Sequence, residues 1–227
     1  MFHVKPDPRS LVEGLSKDQR DSLRRYEALL RSKAVPMGLV SQRDASRIWE
    51  RHILDSLRAI EPMRLTDRLV ADLGSGAGLP GIPIAIARPD ARVLLIEARE
   101  RRAAFLELAV ETLALGNAEA LIQNVQDAVL CVDLCLARAF ASASESWRAA
   151  EPLLRPGGAL LYWAGRSWPN TGLVDVVGVR AEICGPASQV GEGPLVMMAR
   201  DEGRSVAEGK ASSAVTATGR GSGSRGR

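Results

Sequence analysis

This sequence predicts an α/β fold, a mostly parallel sheet with helices on both faces, led by an N-terminal helical appendage. Three observations carry that expectation. From residue 69 onward short apolar runs alternate with helical patterns, the order that builds parallel sheets through crossover helices. The first run, Leu69-Val70-Ala71-Asp72-Leu73, reads as a strand buried on both faces and ends in a glycine-rich turn, Gly74-Ser75-Gly76-Ala77-Gly78-Leu79-Pro80-Gly81. Asp72, Glu97, Asn124 and Arg138 fall at the ends of separate runs, and ligands of parallel sheets bind at the carboxyl ends of strands.

The elements follow in order. Ser16 with Gln19 forms a capping-box pair, and Leu23, Tyr26 and Leu30 recur on one face of the helix it opens until Pro36 interrupts. A second helix is expected over 44–60, where Trp49, Ile53 and Leu57 form a stripe and Pro62 follows. After the glycine turn, 93–97 reads as a strand, 101–115 as a helix closed by Gly116-Asn117, 120–124 as a third strand and 134–138 as a fourth. A helix over 144–154 leads through Pro156-Gly157-Gly158 into a fifth strand, 159–163, and 195–200 supplies the last.

A chain of 227 residues, 46% hydrophobic, buries a full core as one main domain. The expected division is a helical appendage over 1–62, the α/β domain over 63–200 and a disordered basic tail over 201–227, where Lys210, Arg220, Arg225 and Arg227 stand among Gly, Ser, Ala and Thr. No run approaches the roughly 18 apolar residues of a membrane span, and Met1-Phe2-His3-Val4-Lys5-Pro6 lacks a signal-peptide core, so a cytoplasmic protein without membrane contact is expected. Cys131, Cys135 and Cys184 form neither an even disulfide set nor a metal-ligand pair, and no metal is expected. A net charge of +3 with a pI near 9.0 permits a polyanionic partner.

The glycine turn admits two cofactor classes. Gly76, Gly78 and Gly81 satisfy the dinucleotide pattern, with Glu97 about twenty residues on, which motivates an NAD-dependent oxidoreductase reading. Pro80 and Pro83, however, remove backbone donors where a pyrophosphate needs them, and Asp72 places a carboxylate beside the same spot. S-adenosylmethionine carries no phosphate, and its ammonium and sulfonium charges are attracted to a carboxylate. Asp72 with Gly74, Gly76 and Gly78 gives the D-x-G-x-G-x-G order found in Rossmann-like methyltransferases, the class I fold that uses this cofactor.

Three strings sharpen the reading: Arg51-His52-Ile53-Leu54-Asp55-Ser56, Gly76-Ala77-Gly78-Leu79-Pro80-Gly81-Ile82-Pro83, and Ala137-Arg138-Ala139-Phe140-Ala141-Ser142. In this order they resemble the RsmG (GidB) family, bacterial enzymes that methylate N7 of a guanine in 16S rRNA, and Gly38-Leu39-Val40 resembles its actinobacterial branch. The resemblance spans about residues 15–200. It implies S-adenosyl-L-methionine as cofactor, with contacts at Gly74, Leu79, the backbone of Val125 and Gln126, and Arg138, and a 16S rRNA partner in the 30S subunit or its assembly intermediate, met by a monomer. The chain departs from the family at Asn124 and Ala164-Gly165, each of which lacks an expected cation. That motivates a third reading, a slow or non-catalytic cofactor-binding RNA assembly factor.

Guanine N7 offers a lone pair at neutral pH, so the reaction needs alignment and electrostatics rather than a general base. Glu97 is placed to accept both ribose hydroxyls or, alternatively, to cap a neighbouring helix turn. Arg138, the candidate catalytic residue, holds the guanine O6 or a phosphate, or forms a structural ion pair. His52 shares a face with Asp55 and shapes the substrate cleft, although Arg51 and Asp55 also suit a surface pair. Arg101 and Arg102 are candidate RNA contacts. Lys17, Arg20, Arg24 and Arg31 form a basic stripe on the first helix that fits either RNA phosphates or a solvated face, since Asp21 and Glu27 intervene.

Overall fold

The computed structural model describes residues 8–165, 168, 176–185 and 193–201. All but Asp201 of the expected tail, 201–227, lies outside the described residues. The sheet has seven strands in the order β3-β2-β1-β4-β5-β7-β6: β1 (Leu69–Leu73), β2 (Arg92–Ile96), β3 (Ala118–Leu121), β4 (Val132–Arg138), β5 (Leu154–Trp163), β6 (Val179–Gly185) and β7 (Leu195–Arg200). Pairing is parallel from β3 to β5, whereas β7 runs antiparallel to both β5 and β6. The order reverses between β1 and β4, and that switch point locates the ligand cleft.

Helices cover both faces. On one, the helices Lys17–Leu29, Gly81–Ala87 and Glu100–Thr112 and the helical segment 42–60 join β1, β2, β4 and β5 in one apolar cluster; on the other, Ala143–Ala150 packs Trp147 against the sheet. The N-terminal helices therefore share the core of the sheet. Gln19 donates to the carbonyls of Ile86 (2.9 Å) and Ala87 (3.2 Å) at the end of the helix Gly81–Ala87, and also closes the expected capping box with Ser16.

Several boundaries differ from expectation. The segment 42–60 is helical throughout but changes pitch, with a 3-10 stretch Gln42–Arg47, a π stretch Trp49–Leu54 and a further 3-10 turn Arg58–Ile60. The helix expected over 101–115 ends at Thr112, because Ala114 (φ 52) takes the left-handed position of a Schellman cap: Ala114 N–H bonds to Glu111 and Leu115 N–H to Val110, both at 3.0 Å. Asn117 instead donates to the carbonyls of Ala85, Arg88 and Ala91. The third strand occupies Ala118–Leu121, so Asn124 stands beyond it and opens the turn Val125–Asp127. The helix expected over 144–154 spans Ala143–Ala150 under a Ser142–Glu145 capping box, and β5 already begins at Leu154 with a register break before Ala159. An unexpected helix, Pro8–Gly14, and the edge strand β6 complete the fold.

Candidate functional site

The site grows from the end of β1. Gly74, Gly76 and Gly78 all adopt left-handed backbone angles (φ 65, 58 and 88), the region where glycine avoids a Cβ penalty. Space enforces the same choice, since a Cβ on Gly74 would lie 2.7 Å from the Phe140 ring, and one on Gly81 would lie 2.3 Å from Leu95 and 2.7 Å from Asp72 Oδ2. From behind, the buried Tyr26 hydroxyl donates to the Ala77 carbonyl at 2.7 Å, so the first long helix props the turn.

Asp72 does not face the cleft. Its carboxylate is buried and accepts Gly81 N–H at 3.0 Å, and burial raises its pKa from 3.8 to about 7, although the Gly81 bond pulls the other way. Glu97 does face the cleft. One carboxylate oxygen accepts Gly76 N–H at 3.1 Å and the other Arg99 N–H at 3.0 Å. The alternative reading of Glu97 as a cap is thus present in part, because Arg99 precedes the helix Glu100–Thr112.

Two cavities meet here. The smaller, about 200 Å³, is lined by Gly74, Glu97, Arg102, Val125, Gln126 and Phe140, among others. It brings together four of the residues expected to hold the cofactor. Gly76, Gly78 and Leu79 belong to the supporting turn, where Leu79 N–H bonds to the Ser75 carbonyl at 3.3 Å. Asn124 also borders this cavity, with its amide bonded to Asp127 at 3.0 Å. Arg102 Nη1 lies 3.8 Å from Glu97, whereas Arg101 is exposed and lines neither cavity.

The larger cavity, about 330 Å³, is lined by Arg51, His52, Asp55, Arg58, Arg138, Trp163 and Ala164, among others. Ala139 borders both cavities and holds a left-handed angle of 53° without being glycine. Arg138 is the knot between sheet and helical segment. Its Nε lies 3.2 Å from Asp55 Oδ2, and its Nη2 donates to the Arg51 carbonyl at 2.8 Å and meets His52 Nδ1 at 3.0 Å. The structural ion pair weighed from sequence is therefore present, within reach of the cavity. Burial and the nearby guanidinium depress the His52 pKa from 6.5 to about 4. Since Nδ1 accepts from Arg138, His52 is a neutral Nε2–H tautomer.

Sequence reasoning misses Arg58. It is buried, pairs with Asp55 at 2.6 Å and donates to the Gly193 carbonyl at 3.0 Å, so Asp55 balances two guanidinium groups. Its i, i+3 spacing from Asp55 was the available signal. A third cavity, about 570 Å³, opens at the amino ends of β4 and β5 and receives none of the motif residues. Among the described residues no cluster of metal-ligating side chains occurs, and no helix is long and apolar enough to cross a membrane.

Comparison with known proteins follows the same lines. The sequence model of the GidB family, rRNA small subunit methyltransferase G, matches residues 19–170. The Ribosomal RNA small subunit methyltransferase G of Mycolicibacterium gilvum is 44% identical over 144 residues, 61% of this chain and 62% of that one. The protein of the same name from Mycolicibacterium smegmatis is 43% identical over 162 residues (69% and 66%), and that of Mycobacterium sp. strain KMS 39% over 171 residues (73% and 74%). The matches thus span just under two thirds of the first two relatives. Among solved structures, a SAM dependent methyltransferase from Aquifex aeolicus superposes with a TM-score of 0.53 at 16% identity, covering 69% of this chain and 94% of that one. The O-methyltransferase TomG from Streptomyces achromogenes gives 0.50 at 18%, covering 79% and 89%. At these identities the structural likeness shows the Rossmann-like methyltransferase fold.

Proposed function

The chain belongs to the rRNA small subunit methyltransferase G family, and from that premise we propose that it transfers a methyl group from S-adenosyl-L-methionine to N7 of a guanine in 16S rRNA, within the 30S subunit or its assembly intermediate. One observation carries the reading: Gly74, Glu97, Val125 and Gln126, from separate segments, line a single cavity that adjoins a second, cation-lined one.

The smaller cavity suits a nucleoside without phosphates. A carboxylate has about four acceptor positions, and the two bonds Glu97 makes to backbone N–H groups leave others for vicinal ribose hydroxyls. Gly81 N–H, the donor a pyrophosphate would need, is engaged by Asp72, and Pro80 and Pro83 offer none. This favours S-adenosylmethionine over the dinucleotide alternative. When bound, the cofactor supplies an electrophilic methyl group on sulfonium.

The chain's own residues then position the nucleophile. A neutral His52 and an ion-paired Arg138 are consistent with a reaction that removes no proton before transfer. Arg138 has five N–H donors, and its recorded partners Asp55, Ser56, Arg51 and His52 leave one Nη1–H for the guanine O6 or a phosphate. Arg101, exposed outside the pocket, and Arg102, on the wall of the smaller cavity, contact the RNA. Arg51, Arg58 and Arg138 line the larger cavity together with Ala164, each ion-paired to Asp44 or Asp55.

Borohydride and aniline cleavage of 16S rRNA from cells with and without this gene tests the reading, because 7-methylguanosine is selectively labile to that treatment. One gene-dependent cleavage is expected. Gene-dependent methylation at a position that resists cleavage would overturn the N7 assignment.

A further inference from the structure

An RNA chain is far larger than the two cavities, so most of its grip must come from phosphate contacts on the surrounding surface. Among the described residues, several surface arginines differ between the two ends of the sheet. At the end of the sheet where the parallel strands begin, and where the antiparallel β7 ends, five surface arginines are neutralised: Arg68 lies 2.6 Å from Asp90, Arg92 2.5 Å from Glu119, Arg155 2.7 Å from Asp133, Arg180 3.4 Å from Glu182 and Arg200 3.1 Å from Glu151. Around the cleft Arg51, Arg58, Arg102 and Arg138 are also paired, but four exposed arginines beside them are not.

Arg43 and Arg47 are exposed on the stretch Gln42–Arg47, which leads directly into Arg51 and His52 of the larger cavity. Arg99 and Arg101 are exposed where the helix Glu100–Thr112 begins, beside the smaller cavity that Arg99 and Arg102 line. Among the described residues, the side chains of Arg43, Arg47, Arg99 and Arg101 have neither an ion pair nor a hydrogen bond. Asp44, the acid between the first two, is engaged by Arg51 at 3.1 Å and by Ser41 at 2.9 Å. Because Ala139 borders both cavities, one arginine pair sits on the side of the base cavity and the other on the side of the cofactor cavity.

We propose that Arg43 and Arg47 on one flank, and Arg99 and Arg101 on the other, hold backbone phosphates of an unpaired RNA stretch on the two sides of the nucleotide whose base enters the larger cavity. This rests on the RNA reading of the site. The stretch must be unpaired because N7 lies on the major-groove edge, which A-form helices close to side chains, so the base has to be splayed out to enter a cavity. Arginine suits the task, as its planar fork matches phosphate oxygens and carries no sequence preference there.

The test is binding of the full chain to an unmodified 16S rRNA transcript across a salt series from about 50 to about 200 mM, where each lost phosphate contact lowers the log–log slope by about 0.7–0.9. Arg43→Gln/Arg47→Gln and Arg99→Gln/Arg101→Gln should each shrink the fall in affinity over that range roughly tenfold. Arg92→Gln/Arg180→Gln, at the other end of the sheet, should leave it unchanged. Calorimetric affinity of Arg43→Gln/Arg47→Gln for S-adenosylmethionine should equal that of the unaltered protein. Unchanged slopes in both cleft variants, or an equal change in the control, overturn the proposal. A wild-type chain that transfers no methyl group would defeat the proposed activity and still leave these slopes to decide this one.

Discussion

Glu97 joins the glycine turn to the end of β2 with one carboxylate, and what it does there separates binding from architecture. Glu97→Gln keeps one acceptor oxygen but turns an amide toward Gly76 N–H or Arg99 N–H, donor against donor. S-adenosylmethionine affinity should fall by about 1–3 kcal/mol by calorimetry while RNA affinity holds; equal losses for both would show that the residue organises the whole cleft. Asp72 makes a different prediction. Its pKa is raised from 3.8 to about 7, so folding takes up a proton between those values, and its contribution to stability is present at low pH and lost as pH rises through 7. Asp72→Asn retains an oxygen for Gly81 N–H and cannot ionise. At roughly 1.4 kcal/mol per pKa unit, it should be more stable than the unaltered protein by a few kcal/mol at about pH 8, with the gap closing toward about pH 4, as read from urea unfolding. Glu97 was legible in the sequence because counting residues past a glycine turn finds a strand end. The partners of Arg138 were not, since they lie 82 to 87 residues earlier and only the folded chain brings them near.

Among elements, the helix Lys17–Leu29 shows how far local signals reach. Its start was legible, because a capping box is local chemistry; its work was not, because Gln19 and Tyr26 act on carbonyls 51 to 68 residues away. Tyr26→Phe leaves the Ala77 carbonyl buried and unpaired, which should cost about 1–3 kcal/mol of stability and also weaken cofactor binding, since that carbonyl belongs to the glycine turn. Thermal unfolding with and without S-adenosylmethionine checks both, and a variant with intact stability would show that the bond is dispensable. The helix Glu100–Thr112 ends on Ala114 at a positive φ, a conformation that costs a non-glycine residue about 1–2 kcal/mol. Ala114→Gly should therefore raise the midpoint of thermal unfolding. Sequence placed that cap two residues late because Gly116-Asn117 is the stronger written signal, yet Asn117 serves three other carbonyls. The strand β6 escaped notice for a related reason: at an edge, Arg180 and Glu182 alternate with half-buried neighbours and no apolar run forms.

For the whole molecule, the expected boundary after residue 62 marks a change of composition but no gap in the core. Leu23, Tyr26, Leu30, Ile48, Ile53, Leu54 and Leu57 are all essentially inaccessible within the cluster that contains Val70, Ile82 and Leu136. Each such side chain contributes roughly 1.5–3 kcal/mol on burial, so together they rival the entire stability of an ordinary domain, about 5–15 kcal/mol. A fragment beginning at residue 63 should lack a cooperative unfolding transition; a sharp one would show that the sheet stands alone. The alternation of strands and helices was legible because each run carries its own period, whereas the sharing of one core by the N-terminal helices is a property of packing.

The reversal of strand order also sets a timetable. Chains leave the ribosome amino end first, and domains generally complete as units. When residue 112 emerges, the props of the glycine turn, β1 and β2 have all been made, but the other edge of β1 is bare, for its neighbour β4 begins only at Val132. Until then the growing chain displays an open strand edge, the kind of surface that invites pairing with the wrong partner. A chain stalled after about residue 115 should be cut readily by protease, and one stalled far enough for β4 and β5 to clear the exit tunnel should resist it. The very joint that opens a place for the ligand is, during birth, the last seam of β1 to close.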